Sequence, residues 1–277
     1  METTGFAFVT GGASGIGKAC CTAFAEQGAR GVVVADINLE GAKETAREIA
    51  AVAKCPTFKA EAIEIDVSLE SSVKDAIAFA VRFMGRIDYC VHSASIPGGT
   101  IDPIAETTFT DFKRLMDVNV HGTFLVTSLV SAAMKAQEAE VVDVSSPQRG
   151  TTRGTIVNMS SLSSFVTVPS MVQYTTSKHA VIGITKSAAI DNVPHNIRVN
   201  CICTTWADTP MIRRAMEVAP ELEQALVSGI PMGRLVTAKN VADAALFLCG
   251  PKSSFMTGTS LIVDGGMSLV CKTLPRL

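Results

Sequence analysis

No apolar run in this sequence approaches the roughly 18 residues that a membrane-spanning helix needs. Met1-Glu2-Thr3-Thr4 lacks the positive region of a signal peptide, and the apolar Gly5–Thr10 behind it is short and runs into glycines. A basic excess is missing too. Lys and Arg number 24 against 26 Asp and Glu, which leaves no electrostatic footprint for nucleic acid or an anionic membrane. The cysteines (Cys20, Cys21, Cys55, Cys90, Cys201, Cys203, Cys249 and Cys271) never fall into Cys-x-x-Cys spacing. The histidines (His92, His121, His179, His195) show no ligand pattern, so no metal site is expected. A chain of this size needs no disulfide staples, and most of the thiols read as small core hydrophobes. Repeats and low-complexity linkers are absent as well. The expectation is a soluble cytoplasmic protein with neither nucleic acid nor membrane as a partner.

What is present is a large core in one rhythm. With 277 residues, 47% of them hydrophobic, a single α/β domain over 1–277 fits better than two small ones. Short apolar runs alternate with helical patterns, the signature of a parallel sheet built from βαβ units. Strands are predicted at Gly5–Thr10, Val32–Asp36, a run ending at Ile65-Asp66, Ile87–Ala94, Thr155–Met159, Ile197–Cys203 and Ser260–Val263. Helices are predicted from the glycines to about Gln27, and over Leu39–Lys54, Ser68–Met84 (Ser68 as N-cap), Phe109–Lys135, Gln173–Asp191 and Val241–Leu248. Two segments break the rhythm. Glu138–Gly154 is polar and reads as a surface insertion; Asp208–Ile230, rich in Met, Ile and Leu, reads as a helical flap over an apolar pocket.

Thr10-Gly11-Gly12-Ala13-Ser14-Gly15-Ile16-Gly17 follows the first strand and opens the first helix. Gly11 suits the tight turn, Gly15 lets backbone N–H groups approach a pyrophosphate, and Gly17 allows close helix–strand packing. The helix N-terminus adds positive potential. Asp36 ends the second strand 19 residues after Gly17, where an acid bonds both ribose hydroxyls of NAD and repels a 2′-phosphate. No basic residue follows in Ile37-Asn38, so NAD is favoured over NADP. Asp66 and Val67, after the third strand, are placed to receive the adenine.

Tyr174 and Lys178 lie four apart, on one face if the segment is helical. Tyrosine titrates about three units too high for proton transfer at neutral pH, and a neighbouring cation is expected to close much of that gap. The pair then serves as a general acid/base.

At this point the chain resembles the short-chain dehydrogenase/reductase family over nearly its whole length. The motifs stand in that family's order: Thr10–Gly17, Asp66-Val67, Asn119 within Asp117-Val118-Asn119-Val120, Ser161, Tyr174-x-x-x-Lys178, Ile197-Arg198-Val199-Asn200, and Met256-Thr257-Gly258 before Val263-Asp264-Gly265-Gly266. The resemblance implies one Rossmann-type, doubly wound parallel sheet of about seven strands, ordered 3-2-1-4-5-6-7. It implies catalytic roles for Asn119 (water for a proton relay), Ser161 (polarising the carbonyl), Tyr174 (proton exchange) and Lys178 (ribose hydroxyls and the phenol). Gly11, Ser14, Gly15, Ile16, Gly17, Asp36, Asp66, Val67, His92, Ala94, Tyr174, Lys178, Ala207 and Thr209 would hold the dinucleotide. A homotetramer or homodimer is implied, with Phe109–Lys135 and Tyr174–Asp191 at interfaces. Ser160, beside Ser161 in a strand, should face the other way.

Departures from the family pattern are concentrated in two turns. Its Asn-Asn-Ala-Gly reads His92-Ser93-Ala94-Ser95 here, and its Pro-Gly after the sixth strand reads Thr204-Thr205. Phe165, Val166, Val168, Met171, Trp206, Met211, Ile212 and Met216 make the expected substrate segments apolar. They suggest a bulky secondary alcohol or ketone of polyketide, terpenoid or steroid type, and the Glu138–Gly154 insertion associates the chain with fungal-style secondary metabolism. Arg213 and Arg214 offer a carboxylate partner or a solvated face. Two rival readings keep the fold: an isomerase, dehydratase or cyclase without net redox, hinted at by Thr204-Thr205, and a silent nucleotide sensor, opposed by the full Asn119/Ser161/Tyr174/Lys178 set.

Overall fold

The computed structural model describes residues 3–98, 102–218 and 221–270. At its centre is a seven-stranded sheet whose neighbours all run parallel. The strands are β1 (Phe6–Thr10), β2 (Gly31–Asp36), β3 (Lys59–Glu64), β4 (Tyr89–His92), β5 (Gly154–Ser161), β6 (Ile197–Thr204) and β7 (Ser260–Val263). Their order, β7-β6-β5-β4-β1-β2-β3, is the one the family resemblance implied. The helices are α1 (Gly15–Glu26), α2 (Leu39–Val52), α3 (Glu70–Met84), α4 (Phe109–Met116), α5 (Gly122–Lys135), α6 (Val172–Asn192), α7 (Pro210–Val218), α8 (Glu221–Ser228) and α9 (Ala238–Cys249). No helix among the described residues is long and apolar enough to cross a membrane.

Parallel strands covered on both faces must be apolar throughout, and β2 is: Val32, Val33, Val34 and Ala35 are all fully buried. Side chains alternate between two cores. Ala7, Val9, Val32 and Val34 meet Phe24, Ile49 and Leu246 from α1, α2 and α9. Phe8 and Val33 face the other way, onto Val73, Ile77, Val126 and Val130 of α3 and α5. At the sheet's margin β3 exposes Lys59, Glu61 and Glu64, charges that discourage a further strand from pairing.

Three expectations need correction. Ser68 does not cap α3, which starts at Glu70 after Leu69 with no side-chain cap. The Ser68 N–H (2.9 Å) and hydroxyl (2.6 Å) both donate to Asp66 Oδ1, so a local turn has captured the serine. The span Phe109–Lys135 is helical but not one α-helix. A π turn at Asp117–His121 separates α4 from α5, with the Gly122 N–H reaching back to the Asp117 carbonyl. The polar insertion is a surface hairpin, Glu140–Val141 antiparallel to Thr151–Thr152, and Gly154 is not part of it. Gly154 begins β5 at φ 156, where a Cβ would come 2.7 Å from the Met134 methyl carbon.

Two side-chain amides fix β4 along its length. Before the strand, Gln137 accepts from the Ile87 N–H (2.7 Å) and donates to the Ile87 (3.0 Å) and Arg153 (2.7 Å) carbonyls. After it, Asn119 accepts from the Ile96 N–H (2.9 Å) and donates to the Ile96 carbonyl (3.0 Å). Each amide imitates a neighbouring strand for backbone that has none. Replacing Gln137 with Ala removes all three bonds and leaves a part-buried N–H without its acceptor. We expect it to cost about 2–3 kcal/mol of unfolding free energy while leaving dinucleotide affinity unchanged. Chemical denaturation paired with a binding titration checks this, and a loss below about 0.5 kcal/mol would show that solvent replaces the clamp.

Candidate active site

β1 and β4 are neighbours, but the chain leaves β1 toward β2 and leaves β4 toward β5, so the two connections part and open a crevice at the strands' carboxyl ends. The glycine loop floors that crevice. Gly11 sits at φ 68 and Gly15 at φ 53, a left-handed conformation that glycine adopts without cost. A Cβ on Gly11 would lie 2.8 Å from the Ala94 nitrogen, one on Gly15 would lie 3.3 Å from the Thr209 methyl carbon, and one on Gly17 would overlap the Gly11 carbonyl oxygen. The loop, the turn after β4 and the start of the flap are thus in close contact. Ser14 is exposed ahead of α1 with no side-chain cap bond, and Ile16 packs on the first core.

Asp36 reaches the same place. Its Oδ2 accepts from the Ala13 N–H (3.0 Å) and its Oδ1 from the Asn38 N–H (2.9 Å), which fixes the carboxylate at the rim of the loop. Asp66 is held by Ser68, and the Val67 side chain is spent in the core against Gly122. Ala207 is buried in a two-residue strand with Asp208, parallel to Val236–Thr237, and that pair joins both ends of the flap. These residues fit a nicotinamide dinucleotide: a helix N-terminus that opens on Gly15, with Gly11 and Gly12 in the turn before it, suits a diphosphate, and a fixed acid suits a ribose.

The second half of the site is made by β5 and α6. Lys178 is only 2% exposed, and its ammonium donates to the Met159 carbonyl at 3.2 Å. Its Nζ stands 5.5 Å from the centre of the Tyr174 ring. Burial drives the Lys178 pKa down to about 8, offset in part by the nearby Cys203 and Cys201 thiols. The Ser161 hydroxyl accepts from the Ser163 N–H (3.1 Å) and is hydrogen-bonded to the Tyr174 phenol. The Ser160 hydroxyl lies 2.6 Å from the Ser164 hydroxyl and 3.1 Å from the Lys178 carbonyl, apart from the Ser161–Tyr174 pair.

One electrostatic expectation is overturned. The Tyr174 pKa is raised, not lowered: burial dominates, and the opposing effect comes from Ser161 rather than from Lys178. An ammonium 5.5 Å from the ring, itself losing charge through desolvation, does not outweigh the cost of burying a phenolate. Asn119, 1% exposed, lies within the π turn. Its side chain is committed to Ile96 and to Ser177 Oγ (3.2 Å), and its carbonyl accepts from Thr123 Oγ1 (2.7 Å).

The family model described as enoyl-(acyl carrier protein) reductase matches residues 11–268. The sequence is 52% identical over 269 residues to the short-chain dehydrogenase srdC of Neurospora crassa, covering 97% of this chain and 98% of that one. The chain belongs to the short-chain dehydrogenase/reductase family. This family member is also 37% identical over 262 residues to the 2,5-dichloro-2,5-cyclohexadiene-1,4-diol dehydrogenase of Sphingobium indicum, covering 95% and 96% of the two chains. The solved structure of levodione reductase matches it with a TM-score of 0.85 at 26% identity, over 98% of this chain and 100% of that one. It is therefore an oxidoreductase acting on a small molecule, and its fold implies a nicotinamide cofactor.

Several contributors were not visible in sequence. Thr10, Ser177, the Met159 carbonyl and the Ile96 backbone all hold site residues; of these Thr10, at the head of the glycine motif, and Ser177, adjacent to Lys178, carried a positional signal but no assigned role. On the substrate side Phe165 (48%) and Val166 (42%) are exposed, while Val168, Met171, Trp206, Ile212 and Met216 are half-buried. The Met211 side chain lies outside the described residues. Arg213 pairs with Asp208 through two bonds (2.6 and 2.9 Å), so the acid it meets is the chain's own, and Arg214 is exposed.

Because Tyr89 and Tyr174 are the two tyrosines and both are pushed up by burial, the free enzyme should show no tyrosinate absorbance below about pH 10. Tyr174→Phe should remove about half of the amplitude above it. An ultraviolet pH titration reads this directly, and a phenolate midpoint near neutrality in the free enzyme would contradict it.

Proposed function

We propose that this chain is an NAD-dependent dehydrogenase/reductase for a secondary alcohol or ketone carried on a bulky, mainly apolar small molecule. The observation that carries the reading is the joining of Ser161, Tyr174 and Lys178 beside the glycine loop. A bound nicotinamide supplies the hydride acceptor or donor. The chain supplies the proton and the electrostatics. The Ser163 N–H fixes the Ser161 oxygen, and a substrate oxygen entering there would receive the hydrogen that Ser161 gives to the resting phenol, with Tyr174 converging on the same point. In reduction Tyr174 would give its proton to the oxygen as charge develops there; in oxidation it would take the proton away. The low dielectric that raises the resting phenol pKa also magnifies the attraction between Lys178 and any phenolate that forms. Asn119 would support a proton relay from the π turn.

NAD rather than NADP is supported by Asp36, whose carboxylate is fixed at the loop rim with no basic residue beside it. The apolar substrate class is supported by exposed Phe165 and Val166 next to the catalytic serine. The diol dehydrogenase at 37% identity, named for a ring-borne alcohol, agrees with it; a secondary metabolite is the class we assign. We read the enzyme as a cytoplasmic homodimer or homotetramer, consistent with free thiols at every described cysteine and with exposed Phe124 on α5 and Ile190 on α6.

Following reduced-nicotinamide absorbance with a panel of cyclic secondary alcohols tests the proposal. Tyr174→Phe should lose about 10²- to 10⁴-fold in turnover while NAD still binds, and NADP should be at least about tenfold poorer than NAD. Normal turnover by the Phe variant, or substrate conversion with no nicotinamide signal, would defeat the reading.

A further inference from the structure

We propose that His92 is a positioning residue for the dinucleotide, acting as a hydrogen-bond acceptor through the hydroxyl of Thr10. The proposal rests on the function given above and explains a residue that stands where the family pattern has asparagine. His92 is the last residue of β4, 2% exposed, and in register with Thr10 on β1 and Asn158 on β5. Its Nδ1 is 2.8 Å from Thr10 Oγ1.

The direction of that bond follows from the other partners of Thr10. Its Oγ1 accepts from the Ala94 N–H (3.3 Å) and shares the Ser93 N–H (3.2 Å) with the Thr10 backbone carbonyl (3.2 Å). Both N–H groups approach the acceptor side of the hydroxyl, which leaves its hydrogen to point toward the imidazole. Nδ1 must therefore lack a proton, and the neutral ring carries its hydrogen on Nε2. A charged imidazolium would set two donors against each other and weaken the hold of Thr10 on the Ala94 N–H. The setting keeps the ring neutral, since burial and the Lys178 cation push the His92 pKa down to about 3. Nε2 is buried and has no hydrogen-bond partner among the described residues.

The consequence reaches the cofactor through Gly11. The turn Ser93–Ala94 that Thr10 holds is the same backbone that approaches Gly11 closely enough to exclude a Cβ. Imidazole, threonine and two amides thus lock the turn after β4 against the first turn of the glycine loop. Losing the acceptor lets the Thr10 hydroxyl turn and weakens its hold on the Ala94 N–H, which loosens the surface meant for a dinucleotide without touching Ser161, Tyr174 or Lys178.

Nitrogen NMR of labelled histidine in the free enzyme tests the hydrogen bond, with the His92 signal assigned by its loss in His92→Asn. The expected signature is a bare Nδ1 and a protonated Nε2, unchanged from pH 8 down to about pH 5. A protonated Nδ1, or titration near 6.5, overturns the proposal. Binding and kinetics test the consequence. His92→Leu and Thr10→Val should each raise the dinucleotide Kd and KM about tenfold with kcat within about threefold, and His92→Asn, which retains an acceptor, should recover most of the loss. Equal losses in the Leu and Asn variants, or a fall in kcat at unchanged KM, overturns it. If the Leu variant does not fold, Thr10→Val and the tautomer measurement still decide. A wild-type protein that shows the expected tautomer yet binds no dinucleotide would refute the functional reading and the cofactor role of the lock, leaving the hydrogen bond itself established.

Discussion

An ammonium carried into the protein interior, with one carbonyl to receive it, is the constraint on which the site depends. Burying an unpaired charge costs several kcal/mol, so the Lys178 ammonium must be supported by structure that has no alternative arrangement. The Met159 carbonyl on β5 takes one of its hydrogens. The Ser160–Ser164 hydroxyl pair, with one hydrogen between the two oxygens and one given to the Lys178 carbonyl, holds the register of α6 on β5. The same register puts the Tyr174 phenol against Ser161. Chemistry at the phenol therefore follows from how firmly one turn of α6 is fixed to the end of one strand.

That firmness is built from polar groups buried in pairs. Asn119 binds the backbone after β4 and the Ser177 hydroxyl; Ser177 in turn donates to the Tyr174 carbonyl (2.8 Å). Below the site Asn158 on β5 accepts from Thr127 of α5 (3.2 Å) and donates to Thr185 of α6 (3.1 Å). Asn119 and Asn158 each tie together different elements, which favours one packing of strand and helices over its near alternatives. The π turn serves this arrangement, since an added residue in the helix turns Asn119 inward where a regular helix would carry it past.

Much of this was legible in the sequence because it rests on local rules. Apolar runs of Val and Ala between glycine turns marked the central strands, and the four-residue spacing of Tyr174 and Lys178 placed both on one helix. The order of motifs implied the strand order. What stayed hidden depended on distant partners. Ser68 had the right neighbours for a cap, but Asp66 competed for its hydroxyl. The π turn leaves no mark in residue spacing. The phenol pKa could not be read from Lys178 alone, because desolvation depends on everything packed around the ring. His92 and Thr10 lie 82 residues apart and meet through strand pairing between β1 and β4.

The central claim is that burial, rather than pairing, sets the electrostatics here, and Lys178 reports on it most directly. Its ammonium pKa in the free enzyme can be measured by nitrogen-detected NMR with labelled lysine, assigned by loss of the signal in Lys178→Met. The account predicts a value of about 8, well below the ordinary lysine value near 10.4. A Lys178 signal that titrates with the surface lysines would mean that the ammonium is solvated, and the site as described would not be the one the protein uses.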